Sequence, residues 1–301
     1  MGGRRRERRL PAHARRHGLK TPTHLRPSFF IIGANKCGTS SLYWYLLMNP
    51  AVLPCAEKEP NYFGQHSPAY IARHISDYFA LFPTVDDRGP LTFDWHASDD
   101  PGTSAVTTTV VVERQPGRRY ITGEATASTF HDVSPALLRE HLPAVKLIVL
   151  IRDPVERAYS HHRMYRRFCD DGWEPGFSVG AFEHDIRAEL AKHERGERTE
   201  YLGPGLYAEL LQRWTSVYGA AQLKVLVTED LTDPRRGQHV MRELEEYLDL
   251  PPHDYGDNLT RRFNRATPAE IPAAERALLA DFYRPHNDRL RELLGRDLEW
   301  S

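Results

Sequence analysis

Lys36 stands in the middle of the run Phe29-Phe30-Ile31-Ile32-Gly33-Ala34-Asn35-Lys36-Cys37-Gly38-Thr39-Ser40-Ser41-Leu42. The residue types around it are those that hold a phosphate ester. A short apolar run stops at a glycine, a turn with one lysine follows, and apolar residues then recur at helical spacing (Leu42, Tyr45, Leu46). That pattern predicts a strand, a phosphate-cradling loop and a helix start. Backbone N–H groups at a helix N-terminus form an anion site, and the hydroxyls of Thr39, Ser40 and Ser41 add donors. In a nucleoside-triphosphate loop the lysine directly follows the second glycine, as Gly-x-x-x-x-Gly-Lys-Ser/Thr. Here Lys36 comes two residues before Gly38, and Thr39 fills the lysine's slot. The loop reads as a site for a phosphate ester other than ATP.

A second anion-binding segment is Arg152-Asp153-Pro154-Val155-Glu156-Arg157-Ala158-Tyr159-Ser160, which follows the continuous apolar run Lys146–Ile151. Arg152 sits just past a buried strand and Ser160 lies about two turns along the next helix. A guanidinium with a hydroxyl can hold a separate phosphate. Asp153 and Pro154 also read simply as a helix cap and first turn. Alone, the segment is open between the two readings; paired with the first loop, it favours the phosphate.

Four motifs in order resemble the sulfotransferases that use 3′-phosphoadenosine 5′-phosphosulfate as sulfuryl donor. They are Gly-x-x-Lys-x-Gly-Thr-Ser-Ser after a strand, Lys58-Glu59-Pro60-Asn61-Tyr62-Phe63, Arg-Asp-Pro-x-x-Arg-x-x-Ser, and the ending Gly295-Arg296-Asp297-Leu298-Glu299-Trp300. The ending follows Tyr283-Arg284-Pro285-His286-Asn287, and the branch most resembled is the glycosaminoglycan N- and 3-O-sulfotransferase type. The resemblance implies that Lys36, Gly38, Thr39, Ser40 and Ser41 take the 5′-phosphosulfate, and that Arg152 and Ser160 take the 3′-phosphate. It also places Arg265 where the family has a Lys-Gly-Arg loop closing over the 3′-phosphate, with Asn264 at the glycine position. Golgi members brace that loop with a disulfide; no cysteine lies beyond Cys169 here, which implies a cytoplasmic, bacterial-type enzyme. No metal is implied.

Sulfuryl transfer resembles phosphoryl transfer, in which positioning and charge stabilisation carry most of the catalysis. Lys36 is the expected neutraliser of the bridging oxygen as adenosine 3′,5′-diphosphate leaves. The acceptor hydroxyl or amine must lose a proton, and the resemblance puts Glu59 at the base position. Without it, Glu59 reads as a surface glutamate paired with Lys58. Lys58 either holds Glu59 or faces an anionic acceptor. In Glu124-Ala125-Thr126 the glycosaminoglycan enzymes carry a lysine where this chain has Ala125, which weighs against a sulfated polysaccharide acceptor. His131, His161 and His162 are acceptor-pocket candidates, beside the bland reading of structural histidines. The acceptor is a small molecule, glycan or lipid. The alternatives are an ATP-dependent phosphotransferase and a catalytically silent nucleotide-binding scaffold.

The elements that must position these residues are legible in outline. Short strands at Tyr120–Glu124, Lys146–Ile151 and Leu223–Val227 alternate with helical segments at Ser134–His141, Val155–Arg167, 181–195, Tyr207–Tyr218 and Arg235–Leu248. The fold expected is α/β, a P-loop-containing three-layer sandwich around a parallel sheet. In such a sheet, ligands bind beyond the carboxyl ends of the strands, where both anion loops fall. Trp214, Tyr218, Phe282 and Tyr283 lie at helical spacing and are assigned to the core. Residues 1–26 are read as a basic, disordered tail, 27–301 as one domain, and 84–119 as an irregular insertion, hairpin or otherwise.

The 301 residues carry a formal net charge of −1, so no global field points to nucleic acid or membrane. No run approaches the ~18 apolar residues that span a bilayer. The arginine-rich start lacks the apolar core of a secretory signal. Cys37, Cys55 and Cys169 form no spaced framework, and only a Cys55–Cys169 bridge stays open.

Overall fold

The computed structural model describes residues 23–85, 89–98, 106–115, 117–172, 178–264 and 269–300. The expected tail lies outside them as far as residue 22, and so does Arg265. Residues 23–26 do not hang free: Leu25 N donates to Pro83 O at 2.8 Å, Val85 N donates to Thr23 O at 2.8 Å, and the Arg26 guanidinium covers the Phe79 ring.

The first apolar run forms β1 (Phe29–Gly33), and α1 (Thr39–Met48) follows the glycine turn. A two-residue strand, β2 (Val52–Leu53), then precedes α2 (Tyr62–Gln65) and α3 (Pro68–Phe79). The insertion is an antiparallel hairpin, β3 (Leu91–Ala97) with β4 (Val106–Val112). Next come β5 (Ile121–Ala125), α4 (Thr129–Asp132), α5 (Pro135–His141), β6 (Lys146–Ile151) and α6 (Pro154–Asp170). The remainder is α7 (Phe182–Glu194), α8 (Tyr207–Tyr218), β7 (Leu223–Val227), α9 (Thr228–Leu231), α10 (Gly237–Tyr247) and α11 (Ala273–Leu294).

Five strands form one sheet in the order β2-β5-β1-β6-β7, and every pairing in it is parallel. Helices cover the sheet, giving the α/β sandwich. Strands buried on both faces cannot alternate, so β1 is buried throughout and Leu147–Ile151 is 0 % exposed. β5 reaches β1 closely because Gly123 lacks a side chain: a Cβ there would sit 2.4 Å from Phe29 O. Trp214, Tyr218 and Tyr283 are buried in the core, with Phe282 packed against it. The hairpin joins the same core through Phe93 and Trp95, whose ring lies 5.0 Å from that of Trp44. Among the described residues, no helix is long and apolar enough to cross a membrane.

Candidate active site

Strands β1 and β6 are neighbours with matched direction, so the loops that leave their carboxyl ends start side by side. Ala34 N donates to Leu150 O at 2.8 Å, stitching the first loop to β6. The Thr228 hydroxyl lies 2.7 Å from Cys37 O and 2.9 Å from Ile151 O, tying in the end of β7 as well. Behind the loop, buried Cys37 Sγ sits 3.5 Å from Tyr207 OH, and Tyr207 packs on Trp300. The C-terminal motif therefore supports the anion loop from the rear. Burial pushes the Cys37 thiol up to about 11, which makes it a packing group rather than a nucleophile.

Gly38 caps α1 at φ 90°, and Lys36 takes φ 68°. Between these left-handed residues Cys37 N donates back to Ala34 O at 3.2 Å, closing a tight turn ahead of α1. No side chain caps the α1 N-terminus and its first turn holds no acid, an arrangement compatible with an anion there. The hydroxyls of that turn are not equivalent. Ser41 is buried and its Oγ accepts Phe263 N at 3.0 Å; Ser40 Oγ accepts a long 3.4 Å bond from Asn264 Nδ2. Thr39 is also buried.

Lys36 Nζ points toward α6, 3.3 Å from Met164 Sδ. Desolvation lowers its pKa to about 8, helped by Arg167, Lys58 and Arg152 and opposed by Glu59. Glu59, Lys58 and Arg152 therefore lie near enough to Lys36 for their charges to act on it. Lys58 Nζ is 2.6 Å from Glu59 Oε1, with 14 % and 46 % of the side chains exposed. Arg167, named in the sequence only as the end of a helical segment, also acts on Lys36.

Asp153 caps α6 by accepting from Val155 N and Glu156 N, with Pro154 in the first turn. The cap fixes the start of the helix while Arg152, just before it, remains at the strand end. Arg152 Nη2 is 3.4 Å from Glu156 Oε2, and Glu156 Oε1 is 2.6 Å from Arg276 of α11. Ser160 is partly buried further along the helix.

The histidines separate. His162 Nε2 is 3.1 Å from Asp185 Oδ2, and its ring packs on Phe182 and Tyr201. It binds α6 to α7. His131 pairs with Asp132 at 2.8 Å and abuts Gly203. The histidine on the Lys36 side is His161, which is buried and held well below its ordinary pKa by desolvation, Arg157 and Lys36. Two adjacent histidines on a helix point about 100° apart, so sequence could not choose between them.

Glu124 was read only as a neighbour of Ala125. It is buried and hydrogen-bonded to Tyr78 and Thr126, and desolvation lifts its pKa to about 7. A carboxylate inside a short strand with no other charged residue was the available signal. Among the described residues, no group of three or more His, Cys, Asp or Glu side chains is spaced to hold a metal ion.

Residues 27–254 match the model of the Sulfotransferase family. The chain is 27 % identical to carbohydrate sulfotransferase 15 of Homo sapiens, across 94 % of this chain and 56 % of that one. It is 26 % identical to the human bifunctional heparan sulfate N-deacetylase/N-sulfotransferase 3, across 89 % of this chain and 30 % of that one. It thus spans between about a third and just over half the length of these relatives. A crystal structure of a sulfotransferase from Alicyclobacillus acidocaldarius shares the fold, with a TM-score of 0.63 and 24 % identity, covering 91 % of this chain and 97 % of that one.

Proposed function

The chain belongs to the sulfotransferase family, and from that premise we propose that it moves a sulfuryl group from 3′-phosphoadenosine 5′-phosphosulfate to a hydroxyl or amine. The observation that carries this reading is the pair of separate cationic sites at the ends of adjacent strands. One is the uncapped α1 start with Lys36 after β1; the other is Arg152, with Ser160, after β6. A nucleotide with phosphate groups at both ends of its ribose matches two such sites. A single triphosphate chain does not.

In this reading the α1 N–H groups and Lys36 hold the 5′ end, and Arg152 and Ser160 hold the 3′-phosphate. The donor supplies the sulfuryl group, and the chain supplies orientation and charge. Lys36 offsets negative charge as it builds on the leaving oxygen. Glu59 accepts the acceptor's proton, and Lys58, 2.6 Å away, orients its carboxylate. Arg265 is assigned by the resemblance alone and lies outside the described residues.

The acceptor is a small molecule, glycan or lipid, and the names of the two relatives favour a carbohydrate. Ala125 supplies no cation at the end of β5, so that carbohydrate is not expected to need a lysine there. A reducing, cytoplasmic setting goes with this reading, supported by three free cysteines.

Calorimetry with EDTA present tests the donor assignment. Adenosine 3′,5′-diphosphate is expected to bind tightly and ATP weakly. Equal affinity for both, or a strict need for Mg²⁺, would sink the reading.

A further inference from the structure

Glu124 lies at the carboxyl end of β5, 1 % exposed, and belongs to neither anion site. Its two oxygens have different partners. Oε1 accepts from Tyr78 OH of α3 at 2.7 Å, and Oε2 accepts from Thr126 Oγ1 at 2.6 Å. Thr126 is buried too, and its hydroxyl oxygen accepts the backbone N–H of Asn61 at 3.3 Å. Asn61 Oδ1 in turn accepts from Ser128 Oγ at 3.5 Å. Between Glu59 and Asn61 the backbone makes an unusual corner, with φ 55° at Glu59 and φ 47° at Asn61. Residues with a Cβ hold that conformation only where their surroundings fix it.

We propose that Glu124 is a positioning residue: through Thr126, its carboxylate fixes the Glu59–Asn61 corner and with it the direction of the Glu59 side chain. This rests on the reading of Glu59 as the base. Thr126 can accept from Asn61 only with its own hydrogen turned away, and the Glu124 carboxylate turns it. A carboxylate serves two hydroxyl donors at once, one per oxygen. A protonated carboxyl must place a hydrogen where one of them donates.

The arrangement makes the corner sensitive to pH. The titratable groups that face Glu124 are Tyr43 from α1, Cys55 after β2, Tyr78 from α3 and Glu59. Burial holds Tyr43, Cys55 and Tyr78 well above their ordinary values, so they stay neutral. Glu124 itself is raised to about 7, chiefly by desolvation, against the lowering effect of Thr126 and Tyr78. The corner is therefore held most firmly above that value.

Amide hydrogen exchange on the full chain tests this, read at Asn61 from about pH 6 to about pH 8 after correction for intrinsic rates. In the wild type, protection of Asn61 should rise across this range. Thr126→Val removes the acceptor and should speed exchange at Asn61 by about 3- to 10-fold throughout. Glu124→Gln should abolish the step with pH. Amides of β1 and β6 should be unchanged in both variants. Asn61 exchange unaffected by Thr126→Val, or a pH step that survives Glu124→Gln, overturns the proposal. So does a loss of protection shared with β1 and β6, which would mark a general structural role. Binding of adenosine 3′,5′-diphosphate, measured in parallel, separates the two ideas. Absent binding with the Asn61 behaviour intact refutes the donor assignment and not the positioning chain.

Discussion

Lys36 Nζ lies 3.3 Å from the thioether sulfur of Met164, not against a carboxylate. Sulfur is a weak acceptor, so the half-buried Lys36 side chain gives up part of its hydration without a strong partner in exchange. Arg167, Lys58 and Arg152 nearby add to the strain, and Glu59 opposes them. A lysine in that position gains more from an arriving anion than a solvated one does, because the anion replaces hydration already lost.

The first prediction concerns pH and the donor loop. Lys36 has its pKa lowered from 10.5 to about 8, so it is charged below that value and increasingly neutral above it. Affinity for adenosine 3′,5′-diphosphate should fall as pH rises through about 8. Lys36→Met should bind weakly with no such step. Calorimetry across the range decides, and a flat wild-type profile would remove Lys36 from the site.

Arg152→Ala should weaken binding of the diphosphate by roughly 10- to 150-fold, the equivalent of a charge-assisted hydrogen bond. Its 3.4 Å contact with Glu156 joins two partly exposed side chains, so losing that contact should cost the fold little. The melting temperature should stay near wild type. Unchanged affinity would refute the 3′-phosphate assignment.

Glu59→Gln keeps the side chain's shape but cannot take up a proton. Donor affinity should survive while turnover on the acceptor drops by about 10²–10⁴. Turnover within about threefold of wild type at saturating donor would move the role elsewhere. His161, rather than His162, would then be the histidine to test, since Lys36 acts on it and His162 is committed to Asp185.

Asn264 holds the left-handed region, at φ 56°. Its Oδ1 accepts Ser98 N at 3.0 Å, and its own N–H donates to Ser98 O at 2.8 Å. Asparagine tolerates the left-handed region better than other side chains. Asn264→Ala removes the side-chain bond and strains the backbone, and should destabilise the fold by about 1–3 kcal/mol. Asn264→Gly should lose only the bond. Denaturant titration ranks the two, and an alanine variant as stable as the glycine one would contradict the geometry.

Glu124 should shape the pH dependence of stability. Its carboxyl is raised from 4.5 to about 7 in the fold, so the folded state binds the proton more tightly than the unfolded chain. The stabilising contribution is full below 4.5 and is lost as pH rises to about 7. The stability of the wild type relative to Glu124→Gln should therefore decline across that window. Parallel urea titrations at each pH would detect it, and parallel curves for the two proteins would refute the assignment.

Much of the fold was legible because it is local. The apolar runs at 29–33, 146–151 and 223–227 could be little but buried strands, and α8 ends where its periodicity does, at Tyr207 and Tyr218. The strand-loop-helix around Lys36 and the Asp153–Pro154 helix start were readable for the same reason, since caps and turns are set by adjacent residues. β2 was not foreseen: two residues carry no period, and they become a strand only by pairing with β5.

What each site side chain faces was decided by contacts far along the chain. Ser41 looks like a phosphate ligand in its motif, yet its oxygen accepts from Phe263, 222 residues away. Glu124 looks like one half of a departed motif, yet Tyr78, 46 residues earlier, buries and binds it. His161 and His162 are alike in sequence, and the packing of α6 against α7 sends them to different tasks. Sequence fixes which groups can ionise or donate and roughly which strand end they occupy. Burial and distant partners set their charge and direction, because both depend on how much water the whole fold leaves around them.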